Sequence, residues 1–353
     1  MQVPLPFLLR RENIVRYEGG EVLILDRRHY PFRTEFVRCR DFQEVATAIE
    51  EMVTQSSGPR YCAGYAMVQT ARTASGLRTQ NALRLVREAA MRLVAARPTN
   101  AGVRLIVRRM EDEVRTALDI GKNAEESLLS VMESEWAARD ERGRATAHAA
   151  ASIIEDGTRI LTHCWPETGG LAYALILAVE QGKRIQAYCT ETRPYLQGAR
   201  LTADVIAEIG IPTTVVTDGM PAHLMSARMV DCFFAGADRV TMDGHLINKI
   251  GTLQIAVAAH YFGVPFYSFT PAPDPTAPSV DAVPMEDRDP VDTHQCRGVR
   301  TATPRAVGYY PAFDVTPPTL IRGFVTPHGV FLPQSLRDQF GLAPMPTKKD
   351  GMS

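Results

Sequence analysis

Two hydrophobic periods divide the chain. In residues 13 to 40 the apolar positions come in short runs. Glu21-Val-Leu-Ile-Leu-Asp26 follows the Gly19-Gly20 turn and Glu35-Phe-Val-Arg-Cys39 is a second candidate, so this stretch reads as a small β element. From Asp41 the period turns helical: Phe42, Val45, Ala46 and Ile49 fall on one face, and Met52 and Val53 continue it. Helical spacing recurs to about Ala151, in Leu83 to Ala96 and in a long polar-faced stretch from Ala124 to His148. Residues 1–150 are therefore expected to form a β hairpin followed by a helical domain.

Beyond residue 150 strand-length and helix-length patterns alternate. The apolar runs at 159–163, 184–189, 213–217, 231–235 and 264–269 have strand length, and helical segments lie between them at 171–181, 199–209, 222–229 and 250–262. Such alternation implies βαβ crossovers and a mostly parallel sheet over residues 151–343, giving an α/β fold class. Ligands of such sheets bind at the carboxyl ends of the strands, which selects where to look for chemistry. The proline-rich run 270–284 is expected to be an irregular loop of the functional or mobile kind, and 344–353 a frayed tail.

Composition narrows the partners. Thirty-nine basic and 40 acidic residues leave a formal net charge of -1, which offers no general field for nucleic acid or anionic lipid. Any phosphate site must be local. Cys39, Cys62, Cys164, Cys189, Cys232 and Cys296 are scattered without a CxxC pair, the pattern of reduced thiols in a cytoplasm. The opening Met1-Gln-Val-Pro-Leu-Pro-Phe-Leu-Leu-Arg10 is too short in apolar run and too broken by proline for a signal peptide, and no apolar stretch approaches membrane-spanning length. A cytoplasmic protein is expected.

Three segments sit where the sheet rule points. Leu161-Thr-His-Cys164 runs a strand into a thiol, Phe234-Ala-Gly-Ala-Asp-Arg239 runs one into a carboxyl, and Asn248-Lys-Ile-Gly-Thr252 places an amide and an ammonium ahead of a helix. Helix starts bind phosphate through free backbone N–H groups, and Lys249 would add a point charge beside them. Singly, each has a plainer explanation: a buried cysteine is usually an inert core residue, Asp238 beside Arg239 could be a salt bridge, and Asn248-Lys249 an ordinary capping turn. Their joint placement at successive strand ends is what argues for a site. No GxGxxG or GxxxxGK[ST] occurs, so nucleotide binding through those loops has no support. A metal is not expected either, since neighbouring His163 and Cys164 point to opposite faces of a strand and the other histidines lack ligand spacing.

With these segments in view, the chain resembles the methylthioribose-1-phosphate isomerases and, more distantly, the ribose-1,5-bisphosphate isomerases; the same fold serves regulatory subunits of a translation initiation factor exchange complex. The resemblance is carried by Asp156-Gly-Thr-Arg-Ile-Leu-Thr-His-Cys164, Glu191-Thr-Arg-Pro-Tyr-Leu-Gln-Gly-Ala-Arg-Leu-Thr-Ala203, Thr217-Asp-Gly-Met-Pro-Ala-His-Leu-Met225 and Gly236-Ala-Asp-Arg239. It continues through Asn248-Lys-Ile-Gly-Thr252, Glu286-Asp-Arg-Asp-Pro290 and Pro311-Ala-Phe-Asp-Val-Thr-Pro317, and is thinner in the N-terminal half, chiefly Ala96-Arg-Pro-Thr99. It implies a Rossmann-like C-terminal domain, a homodimer, a small-molecule sugar phosphate as substrate and no cofactor. Cys164 and Asp238 would be the catalytic pair, and Arg97, Gln197, Asn248 and Lys249 would bind substrate, largely its phosphate.

Three departures touch the pocket walls. Where the family has Arg-Gly-Ala-Pro-Ala-Ile-Gly this chain reads Gln55-Ser-Ser-Gly-Pro-Arg-Tyr61, so an expected arginine is lost and Ser56 and Ser57 are left as weaker donors. Trp165-Pro-Glu-Thr168 replaces Asn-Ala-Gly after Cys164, and Thr270-Pro-Ala-Pro-Asp-Pro-Thr276 replaces Ala-Ala-Pro-Leu-Ser-Thr. The expected activity is isomerisation of a 5-substituted ribose 1-phosphate to the ribulose 1-phosphate. A protonated Asp238, buried among Phe233, Phe234, Ala235 and Ala237, would open the ring, and Cys164 as thiolate would take the C2 proton; a C2-to-C1 hydride shift is the competing route. The rivals are a ribose-1,5-bisphosphate or 5-deoxyribose-1-phosphate isomerase, the former needing a second anion site to which Arg60 or Arg193 could contribute, and a non-catalytic regulatory homologue.

Overall fold

The computed structural model describes residues 3–98, 100–165, 170–285 and 287–341. Pro166 to Thr168 of the altered segment after Cys164, Thr99, Glu286 and the tail 344–353 lie outside the described residues. Strands β1 (Val15–Glu18), β2 (Glu21–Leu25) and β3 (Phe36–Cys39) pair antiparallel in that order. Helices α1 (Phe42–Glu50), α2 (Gly58–Ala74), α3 (Thr79–Ala96), α4 (Ala101–Asp119) and α5 (Ala124–Ala150) follow. Asp41 starts α1, its carboxylate accepting from the Gln43 and Glu44 amides while Glu44 accepts from the Arg40 amide, close to a capping box. The helix stops at Glu50, short of the expected Met52 and Val53, because the chain turns at Met52 with φ +61. Val53 is nevertheless buried.

The second half alternates β4 (Arg159–His163), α6 (Leu171–Glu180), β5 (Gln186–Thr190), a π-helical stretch Gly198–Thr202 running into α7 (Ala203–Glu208), and β6 (Thr213–Val216). Next come α8 (Pro221–Ser226), β7 (Cys232–Ala235), a hairpin of β8 (Arg239–Val240) and β9 (Leu246–Lys249), α9 (Thr252–Phe262) and β10 (Phe266–Phe269). The remainder comprises α10 (Val291–His294), β11 (Gln295–Cys296), β12 (Val299–Arg300), β13 (Phe313–Thr316), β14 (Gly323–Thr326), β15 (Gly329–Phe331) and α11 (Leu336–Gln339). The main sheet has seven strands in the order β15-β14-β10-β7-β4-β5-β6. All its pairings are parallel except that of β15. The Rossmann-like α/β expectation is borne out. The sequence pattern had not revealed β13, β14 or β15. It had also read Asn248-Lys249 as a turn before a helix, whereas both residues end strand β9, which pairs with β8 on one side and β13 on the other.

Winding runs from β4 outward through β5 to β6, then returns to the other side of β4 and runs outward through β7, β10 and β14. The reversal between β4 and β7 is the switch point of a doubly wound sheet. Side chains of β7 alternate between faces. Phe233 stacks on Phe266 with centroids 4.4 Å apart in the core beneath α8 and α9, while Phe234 meets Phe269 edge-on at 5.4 Å in the core beneath α6 and α7. The third core fills the helical half. Helix α5, 27 residues and about 40 Å long, belongs to two of these cores: Leu128, Met132 and Trp136 pack in the helical half, and Ala147 and Ala150 against the sheet. Because β7 leads directly into the Asp238 segment, Phe234→Ala is expected to cost about 3–5 kcal/mol of stability, read as a lowered urea midpoint.

Candidate active site

His163 and Ala235 are register partners at the ends of β4 and β7, so the segments that leave these strands emerge side by side at the switch point. Cys164 is the first residue past β4, with φ +63. Asp238 lies three residues past β7, and its amide donates to the Ile247 carbonyl at 3.1 Å, which folds the β8–β9 hairpin back over the strand ends. The expected burial of Asp238 among Phe233, Phe234, Ala235 and Ala237 is corrected: the chain has left the sheet by residue 238, the two phenylalanines point into the cores on either side of it, and Asp238 is exposed. That fold brings Asn248 and Lys249 to the same place. A cavity of roughly 450 Å³ opens there, lined by Cys164, Asp238, Asn248 and Lys249, by Gln197 before the π-helical stretch, by Arg97 after α3, and by Ser56 and Ser57 at the start of α2. Every residue expected from the sequence to be catalytic or to bind the substrate of the main reading thus lines one cavity. Gln197 Oε1 is buried with no hydrogen-bond partner among the described residues. A buried acceptor left so costs about 1–3 kcal/mol and presents itself to a donor such as a sugar hydroxyl.

The walls are cationic. Lys249, Arg60, Arg97, Arg139, Arg142 and Arg288 line the cavity, joined by Arg239, which pairs with Asp274 at 3.2 Å. Lys249 is buried, donates to the Ala312 carbonyl at 3.0 Å and lies 4.9 Å from the centre of the Phe313 ring. Burial lowers its pKa to about 8, and Arg288 pushes the same way. Burial also raises the Cys164 thiol to about 11, opposed by Lys249 and assisted by Asp238. The thiolate expected of Cys164 is therefore not its form in the free protein: desolvation outweighs the Lys249 ammonium, and Cys164 is a neutral thiol near pH 7.

The phosphate role given to the start of the helix after Lys249 is also corrected. Asp314 Oδ2 accepts from the Gly251 and Leu253 amides at 2.7 and 3.1 Å, so the first N–H groups of α9 already hold a carboxylate. Lys249 and Asn248 serve the cavity from the end of β9 instead. Arg193, considered for a second anion site, donates to the carbonyls of Pro194, Asp292 and Gln295 and is not among the lining residues. Arg60 does line the cavity, held from behind by the buried Glu135, which also pairs with Arg109. Sequence reading missed Arg288, although it lies in one of the quoted blocks, and missed Arg139 and Arg142, which α5 delivers through tertiary packing alone. No cluster of three or more metal-binding side chains exists among the described residues, and no helix among them is long and apolar enough to cross a membrane.

Comparison with known proteins places the chain in a recognisable group. Residues 58–333 match the profile of the Initiation factor 2 subunit family. The methylthioribose-1-phosphate isomerase of Roseiflexus castenholzii is 37% identical over 339 residues, covering 90% of this chain and 94% of that protein. The enzyme of the same name from Thermotoga maritima is 37% identical over 343 residues, with coverages of 92% and 96%. Among solved structures, 5-methylthioribose 1-phosphate isomerase from Pyrococcus horikoshii superposes with a TM-score of 0.80 at 26% identity, covering 96% and 98% of the two chains. Translation initiation factor eIF-2B subunit delta from A. fulgidus gives 0.79 at 28% identity, covering 92% and 96%.

The electrostatics make a direct prediction. Iodoacetamide labelling of Cys164, followed by peptide mass spectrometry, should be slow at neutral pH and rise about tenfold per pH unit until the thiol ionises at about 11. Lys249→Met removes the charge that lowers this pKa, so labelling at a fixed neutral pH, below the lysine's own pKa of about 8, should slow several-fold; an unchanged rate would separate the two groups.

Proposed function

The chain belongs to the Initiation factor 2 subunit family, and we propose that within it this protein is a methylthioribose-1-phosphate isomerase or acts on a close analogue, converting a 5-substituted ribose 1-phosphate to the ribulose 1-phosphate. The observation that carries this reading is the convergence of Cys164, Asp238, Gln197, Asn248 and Lys249 on one cationic cavity at the switch point. The similarity to curated isomerases over 90% or more of the chain supports the same conclusion. A purely regulatory homologue has no need of all five groups in one place.

An aldose 1-phosphate is locked as a ring because its anomeric oxygen is esterified. In the proposed reaction Asp238 gives a proton to the ring oxygen as the bond from C1 to that oxygen breaks. Cys164, ionised, takes the proton from C2, and the electron pair of that C–H bond forms the C1–C2 double bond. The thiol then returns the proton to C1 while the C2 hydroxyl proton passes to Asp238, leaving a ketone and restoring both groups. A thiol with a pKa near 11 is a strong base once ionised, and Lys249 is the adjacent charge that favours that form. A hydride shift from C2 to C1 would leave Cys164 neutral, and reaction in deuterated water separates the two routes because only the proton route labels C1.

Arg97, Lys249, Ser56 and Ser57 are the groups proposed to hold the phosphate, and Gln197 and Asn248 the sugar hydroxyls. None of these steps calls on a cofactor. We further infer a homodimer, supported by the exposed Val257 and Tyr261 on α9 and Val307 and Tyr309 near β13, and a cytoplasmic place in methionine salvage, supported by the reaction named for the relatives.

Two experiments test the reading. Turnover should be highest with 5-methylthioribose 1-phosphate in a panel that includes the 5-deoxy and 5-phospho analogues; no turnover of any member would favour the regulatory alternative. Cys164→Ser and Asp238→Asn should each lower kcat by about a hundred- to ten-thousand-fold while circular dichroism stays native, and wild-type rates in either variant would remove that residue from the chemistry.

A further inference from the structure

Cys164 and Thr192 are both non-glycine residues in the left-handed region, with φ of +63 and +62. They are also hydrogen-bonded, the Cys164 amide donating to Thr192 Oγ1 at 2.9 Å. Such backbone costs on the order of 1–3 kcal/mol per residue and persists only where its surroundings enforce it. Here the enforcement is a buried series of hydrogen bonds. Thr192 Oγ1 lies 3.4 Å from Thr190 Oγ1, Thr190 Oγ1 lies 2.6 Å from His163 Nδ1, and His163 Nε2 lies 3.0 Å from the Ile250 carbonyl oxygen. A carbonyl can only accept, so Nε2 carries the ring proton and Nδ1 accepts from Thr190. The Thr190 oxygen can then accept from Thr192, whose oxygen accepts from Cys164. Every bond points the same way, from the cysteine amide to the Ile250 carbonyl.

The two ends of this series matter. At one end Cys164 is held on both sides of its backbone, since Thr202 Oγ1 also donates to the Cys164 carbonyl. At the other, Ile250 directly follows Lys249, and Gly251 takes φ +105 at a place where a Cβ would come within 3.1 Å of the His163 ring. The imidazole fills a slot between three segments: the end of β4, the end of β5 and the turn after β9. Its side chain, like those of Thr190 and Thr192, is buried. Protonation would abolish the Nδ1 acceptor, and burial disfavours it, lowering the ring pKa to about 4.

We propose that His163 is a positioning residue: through Thr190 and Thr192 it fixes the backbone of Cys164, through Ile250 it fixes the strand end that carries Lys249, and it thereby sets the spacing between thiol and ammonium. Its kinetic consequence rests on the isomerase reading, but the coupling of Cys164 to Lys249 does not. A plain core histidine would contribute stability alone. A spacer contributes to the rate, because displacements of about 1 Å at reacting groups cost on the order of a hundredfold.

The test compares His163→Leu, which keeps bulk and loses both bonds, with His163→Gln, whose amide can donate to Ile250 and accept from Thr190. His163→Leu should lower kcat about a hundredfold with KM moved less than about threefold and a cooperative melt retained. His163→Gln should recover at least about a tenth of the wild-type kcat. Independently of turnover, Lys249→Met should slow Cys164 alkylation several-fold in the wild-type background and less than about twofold in the His163→Leu background, as a double-mutant cycle reads it. Wild-type kcat in His163→Leu, no advantage of glutamine over leucine, or an equal Lys249→Met effect in both backgrounds would each overturn the proposal. If His163→Leu does not fold, Thr190→Val, which removes only the hydroxyl, carries the same comparisons. If the wild-type protein turns over no ribose 1-phosphate, the isomerase reading falls while the alkylation cycle still decides the positioning role.

Discussion

The structure depends on one topological constraint, the reversal of winding between β4 and β7. Parallel strands must be joined by crossovers, and where the crossovers change direction two neighbouring strand ends are left uncovered. Everything chemical in this protein is built onto that gap. Cys164 is delivered by one strand and Asp238 by the other, and the β8–β9 hairpin in the connection after β7 folds over both. The helical half supplies the opposite wall through Ser56, Ser57, Arg97 and the cationic face of α5. The site is an interlayer product, and neither half contains it alone.

Desolvation governs the electrostatics of this gap. The chain as a whole is close to neutral, yet the cavity wall gathers arginines and a buried lysine. Burial pushes the lysine down and the cysteine up, which moves both toward their neutral forms in the free protein. An incoming phosphate dianion reverses part of that balance for Lys249, since an opposite charge favours the ammonium. In the proposed reaction binding and activation are thereby linked: the anion that anchors the substrate also strengthens the cation beside the thiol.

Much of this was legible in the sequence because periodicity reports burial directly. The parallel strands β4, β5, β7 and β10 are short runs that are buried along most of their length, and the helices between them keep the right length. Strands ending in Cys164 and before Asp238 could be placed because the carboxyl-end rule needs only strand direction. The β13–β9–β8 sheet was not legible: its strands have two to four residues, too few to show a period, and Asn248-Lys249 at a strand end looks like a helix cap. The occupation of the α9 start by Asp314 depends on a contact 63 residues apart in sequence, which no local pattern encodes. Arg139 and Arg142 carry no signal either, because a charged residue on a long polar-faced helix is ordinary until its neighbours are known.

Helix α5 passes unbroken from the helical core to the sheet and lends Arg139, Arg142 and Gly143 to the cavity wall on the way. A continuous backbone shared by both layers acts as a tie rod. Opening the two layers like a clamshell would require bending that rod or stripping its last turns from the sheet. The proline-rich segment after β10 borders the same cavity and is tied down as well, the Asp274 amide donating to the Val240 carbonyl at 2.8 Å and its carboxylate pairing with Arg239, so the cavity is braced from both layers.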